Sequence, residues 1–123
     1  MNVPHFIILP VRAKRFGFPY WRKQAFFFNM SAWFSFYDEY GWDMELIQKL
    51  EPGELSAKMV FHAAMQGNFR QGKPFRLTFF DLATQVAKMT RADGAKLDEV
   101  FRGSATVMTE KMKGVAESGL KKK

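Results

Sequence analysis

The sequence predicts an α+β domain, predominantly helical, with two short N-terminal strands followed by about five helices. Three observations carry that expectation. Strand-forming residues cluster at His5–Leu9 and Lys23–Phe28, apolar residues recur at helical spacing from Met30 onward, and Gly or Pro punctuates the chain between those segments. At 123 residues and 47% hydrophobic content the chain suits one folded domain and is too apolar for intrinsic disorder. That domain is expected over residues 1–117, with a flexible basic tail over 118–123.

The first strand, His5–Leu9, is expected to end at Pro10. Val11–Arg22 holds Gly17 and Pro19 among basic residues and reads as a loop or irregular hairpin before the second strand, Lys23–Phe28. Asn29 or Ser31 caps a helix over Met30–Tyr40, where Trp33, Phe34, Tyr37 and Tyr40 make an apolar stripe and Gly41 stops it. Trp42–Leu50 is a short helix with Met44, Ile47 and Leu50 three residues apart, broken by Pro52-Gly53. Leu55–Asn68 follows, with Ala57, Val60, Phe61, Ala64 and Met65 on one face. Leu55 and Met59 widen that face, which makes the helix central. Thr78 and Asp81 have capping-box form and open a helix to Met89 with Phe79, Leu82, Ala83, Val86 and Met89 facing one way. Asp93-Gly94 caps a last helix from about Ala95 to Glu117.

Charge is distributed in blocks. The chain carries 19 Lys+Arg against 12 Asp+Glu, a net of +7. Residues 1–37 hold five basic residues and no acid, whereas residues 38–54 hold six acids and one lysine, a net of −5. Residues 55–123 are basic again. A basic–acidic–basic chain either folds back on its own charges or docks against a copy of itself, so a homo-oligomer is expected. The aromatic residues are equally uneven: 14 of the 20 Phe, Tyr and Trp lie in the first 42 residues. One third of a small domain cannot enclose that many large rings. Some are expected at the surface as partner contacts: Phe16, Phe18, Tyr20 and Trp21 in the loop, and the exposed members of Trp33, Phe34, Tyr37 and Trp42.

Several kinds of chemistry are excluded or disfavoured. With no cysteine there is no disulfide, thiolate metal site or cysteine nucleophile. No apolar run approaches the roughly 20 residues that span a bilayer, so no membrane partner is expected. Gly67 and Gly72-Lys73 have phosphate-loop spacing, yet Pro74 stands where the magnesium-binding hydroxyl belongs and a helix precedes the glycine instead of a strand. His62 lies mid-helix with Lys58 four residues before it, and reads as structural. Asp38, Glu39 and Asp43 read as a solvated acidic face. No catalytic group, cofactor or metal is expected. Interleaved cations and rings from Arg12 to Lys23 suit stacking on bases and pairing with phosphates, which makes a small basic nucleic-acid-binding or regulatory protein the alternative reading.

The segment Phe26–Leu50 (FFFNMSAWFSFYDEYGWDMELIQKL) resembles the front of the tail assembly chaperones of long-tailed bacteriophages: a strand, an Asn-led helix ending in an acidic pair and Gly, then a short helix. Glu54–Arg70 is similar to the central helix of that family, and Phe75–Leu82 to the loop, Leu-Thr and helix step that follows. The resemblance covers roughly residues 24–92. It implies a non-enzymatic protein of the host cytoplasm that coats the phage tape measure protein, keeps it soluble and helps recruit the tail tube protein.

Overall fold

A computed structural model describes the backbone of residues 5–121 and the side chains of residues 5–111. Two antiparallel strands, β1 (Phe6–Arg15) and β2 (Phe18–Phe27), precede five helices: α1 (Met30–Glu39), α2 (Met44–Gln48), α3 (Pro52–Arg70), α4 (Phe79–Ala87) and α5 (Arg91–Lys121). The α+β class and element order match the sequence expectation.

β1 is twice as long as expected and β2 starts five residues earlier, because most of Val11–Arg22 is paired β-structure and not loop. The register runs unbroken from Phe6↔Phe27 to Arg15↔Phe18. Pro10 does not end β1, and the alternation of the ladder explains why. The Phe28 N–H donates to the His5 carbonyl at 2.7 Å, so the odd-numbered residues of β1 form the hydrogen-bonded pairs. Pro10, opposite Lys23, falls at a non-hydrogen-bonded pair where a backbone N–H would point away from β2. Its missing donor therefore leaves no gap in the ladder. Phe16 and Gly17 close the hairpin with φ of 53° and 83°, the two positive values that a type I′ turn requires.

Each helix start has an identifiable cause. The Asn29 side chain accepts from the Ala32 N–H at 2.8 Å and caps α1, and Asp43 caps α2 through the Leu46 N–H at 3.1 Å. Pro52 occupies the first turn of α3, where its fixed φ suits the helix and its absent donor is not needed. Both arms of the Thr78/Asp81 capping box form at α4. The last helix begins one turn earlier than expected. Thr90, not Asp93-Gly94, supplies the cap, accepting from the Asp93 N–H at 3.2 Å. The helix also continues past the expected boundary at 117 as far as Lys121, and residues 122–123 lie outside the described residues.

α3 is central, as its broad apolar face implied. It lies along the open edge of β2 and against α1, covering the edge that would otherwise offer unpaired backbone groups. Gly67 makes that approach possible: a Cβ there would overlap the backbone carbonyl of Ala25. The core sits between the inward face of the hairpin (Leu9, Val11, Phe26) and the helices, with Phe26, Phe28, Phe36, Met59 and Leu82 fully enclosed. Burial of each such side chain contributes about 1.5–3 kcal/mol. α5 closes the layer by stacking Phe101 on Trp33, ring centroids 6.1 Å apart, while the Trp33 indole N–H donates to Ser104 at 3.3 Å.

Two polar networks tie elements together inside the fold. The Arg22 guanidinium bridges the side-chain oxygens of Gln24 and Gln85, each at 2.6 Å, and the Gln24 amide donates to Asn68 at 2.9 Å. This joins β2, α3 and α4 with the otherwise costly buried Gln24 satisfied. The second network holds α1 to α3 through His62.

Candidate functional site

The first place to look for chemistry is His62, because it is buried and lies between a hydroxyl and a carboxylate. Its Nδ1 is 2.8 Å from the Ser35 hydroxyl and its Nε2 is 2.9 Å from Glu39, whose other oxygen meets Lys58 at 2.9 Å. Burial lowers the histidine pKa below its ordinary 6.5, and the attraction of Glu39 only partly opposes it. The ring is thus neutral near pH 7, with the Nε2 proton donated to Glu39 and the Ser35 hydroxyl donated to Nδ1. Burial also resists ionisation of Glu39, but Lys58 and His62 together hold its carboxyl below the usual range. Every member of this cluster is satisfied by another member, so the arrangement acts as a bolt between α1 and α3. Among the described residues no three His, Asp or Glu side chains are grouped to hold a metal ion, and no helix is long and apolar enough to cross a membrane.

The aromatic candidates divide sharply. At the hairpin tip Phe16 is 90% exposed and Phe18 75%, and Tyr20 and Trp21 are also open to solvent. Phe34 and Trp42 are exposed on a second patch, where their rings meet at 5.3 Å. Trp33 and Tyr37 are corrected: at 7% and 6% exposure they are core residues and offer no partner surface. The buried stripe of α1 is Ala32, Trp33, Phe36 and Tyr37, and Phe34 lies outside it. A helix of this length points only one stripe inward, and here Trp33 and Tyr37, one turn apart, occupy it.

Phe16 and Trp42 share an uncommon feature. They are the two non-glycine residues with positive φ among the described residues, at 53° and 60°. Left-handed backbone costs a residue with a Cβ about 1–2 kcal/mol, and bulky aromatics are rare there. Each is adjacent to a glycine of the same hand, Gly17 or Gly41, and each projects from a turn. The Trp42 indole also donates to the Asp38 carboxylate. Exposed rings held at strained positions point to use at the surface rather than to packing.

Sequence reasoning missed three features. Phe69 and Phe80 are each 76% exposed. The signal was present for Phe80, which falls outside the Phe79, Leu82, Ala83, Val86 face. The third is an apolar groove between α3 and α4, about 250 Å³, lined by Ala57, Val60, Leu82, Ala83 and Val86. A further hollow of about 170 Å³ shares Val60 and Val86 and extends the groove to Leu97 and Phe101 on α5. Its apolar lining residues lie on helix faces expected to be core, and only the helix crossing leaves them partly open.

Cations gather on the other side of α4. Arg12, Lys14 and Lys88 line a hollow of about 380 Å³ with Phe80, Thr84 and Gln85. On the hairpin the Arg12 guanidinium lies over the Trp21 ring at 5.1 Å and the Arg15 guanidinium over Phe16 at 5.8 Å. No protein-family model matches the chain, and neither a curated protein nor a solved structure matches it either.

Proposed function

We propose that this chain is a non-enzymatic tail assembly chaperone of a long-tailed bacteriophage, working in the host cytoplasm. It binds apolar helices of the tape measure protein and keeps them soluble while tail tube protein subunits assemble. The observation that carries this reading is the open groove between α3, α4 and α5, mostly apolar, with Ser56 and Asp98 also in its lining, and walled by small side chains at Ala57 and Ala83. Such a trough accepts the row of apolar side chains that an amphipathic helix presents at every third or fourth position. The resemblance of residues 24–92 to the family supplies the identity of the partner. Thirteen large apolar side chains exposed among the described residues add adhesive surface elsewhere on the molecule.

The test is co-expression with the neighbouring open reading frames, where the reading expects a long helical protein. The neighbour is expected in the soluble fraction with the wild-type chain and in the pellet without it, and Ala83→Lys in the groove is expected to abolish the rescue. Equal solubility of the neighbour with and without this chain overturns the reading.

The cation–aromatic pairs of the hairpin favour a second reading, a small basic protein that binds single-stranded nucleic acid. Salt separates the two. Affinity for an oligonucleotide falls steeply as salt rises, because binding releases condensed counterions, whereas capture of an apolar helix does not weaken in this way.

A further inference from the structure

We infer that the basic hairpin tip of one molecule docks on the acidic α1–α2 corner of a second copy. The two surfaces are complementary in charge and alike in apolar content. Residues 5–37 hold no acid, and the tip exposes Lys14 and Arg15 beside Phe16 and Phe18. The corner exposes Glu45 and Glu51 beside Trp42 and Leu46. The acidic set is used only in part within the molecule: Glu39 meets Lys58 and His62, while Glu51 joins none of the ion pairs among the described residues. Among the described residues, no ion pair joins the cations of residues 12–23 to the acids of residues 38–54. Lys49, the one cation within 38–54, meets Glu45 at 4.0 Å with both side chains open to water, which neutralises little.

The backbone makes the same pairing. Phe16 and Trp42, the two strained aromatics, stand one on each surface. The Phe16 ring is almost wholly exposed, and the Trp42 ring, held against Phe34 and Tyr37, keeps an open face, so the cationic tip can lay Phe16 and Phe18 against Trp42 and Phe34 while its cations reach the carboxylates. Opposite charges steer and register such a contact and, together with the rings, hold it, so screening by salt releases it. Because tip and corner are different surfaces, the contact is heterologous, and each molecule keeps a free surface of each kind. Association therefore extends beyond a dimer unless the rotation closes a ring. Self-association of this kind stands whether or not the groove takes a partner helix.

Charge exchange tests it. By light scattering at low salt and after nuclease treatment, the wild-type chain is expected to give a mass above 14.3 kDa that rises with concentration and returns to 14.3 kDa in high salt. K14E/R15E and E45K/E51K are each expected to lose higher-order association, and an equimolar mixture is expected to regain it, since the acidic tip of one variant meets the basic corner of the other and the basic tip meets the retained acidic corner. Phe16→Asn, which relieves the strained φ and leaves every charge in place, is expected to keep the fold and shift the mass toward the monomer. A wild-type chain that is monomeric throughout, association that nuclease removes, a mixture that stays monomeric although each variant unfolds at the wild-type temperature, or undiminished association of Phe16→Asn would each overturn the proposal.

Discussion

The two halves of the hairpin have the same kind of sequence and opposite fates. Phe18 and Phe26 are on one strand, an even number of residues apart, so alternation places them on the same face of β2. Phe26 is fully buried and Phe18 is largely exposed. The difference lies beneath the strand. α3 and α5 cover the half nearest the chain's helices, where Leu9, Gln24 and Phe26 point into the core, while the half that carries Arg15, Phe16 and Phe18 extends past them. The lesson is that aromatic density marks neither core nor interface until a second layer is in place.

Phe36→Ala is the sharpest way to break that comparison. Phe36 is fully enclosed, and its truncation is expected to remove about 4 kcal/mol of stability in denaturant unfolding. Phe18→Ser should change stability by less than about 0.5 kcal/mol. Equal losses would mean that the hairpin tip is packed in solution. Gly67→Ala comes next. A methyl group would drive α3 off the Ala25 carbonyl, and a loss of about 2–3 kcal/mol is expected from such overpacking.

Acid is expected to loosen the α1–α3 side before the hairpin. Burial depresses the His62 pKa below 6.5, so the unfolded chain takes up that proton first as pH falls. The stability due to neutral His62 is complete above 6.5 and is lost as pH falls below that value toward the depressed one. Glu39 is held below its ordinary 4.5, and its contribution is lost at still lower pH. Melting temperature measured from pH 7 to pH 5 should therefore fall, and His62→Gln should flatten that slope. A wild-type Tm that stays level over this range would contradict a buried neutral histidine. One effect is of opposite sign. Phe16→Asn is expected to raise stability by about 1 kcal/mol, since Asn tolerates left-handed backbone better than Phe. A loss instead would show that the Phe16 ring is held by contacts within its own molecule.

Helix boundaries were legible wherever a cap could be read from neighbouring residues, as at Asn29 and at Thr78 with Asp81. The start of α5 was misplaced because Thr90 and Asp93 are both good caps in isolation. Only the completed first turn, with Thr90 accepting from the Asp93 N–H, distinguishes them. The long hairpin was not legible for a related reason. Proline reads as a strand breaker, and its tolerance at position 10 depends on which residue of β2 it faces. Of the eight aromatic candidates, the four at the hairpin tip were recoverable from their cationic, turn-like surroundings. In α1 the rings at 33, 34, 36 and 37 spread over more than one face, so composition did not separate Trp33 and Tyr37 from Phe34.

Local chemistry alone determined the α+β class, the order of the elements, the capped starts of α1 and α4 and the block charge, because each depends on residues within a few positions of one another. The tertiary structure decided the rest: which rings are hidden, where small side chains leave a groove, and how His62 and Gln24 are satisfied. Those outcomes depend on contacts between residues far apart in the chain, and their energies exist only once α3 has packed against both the hairpin and α1.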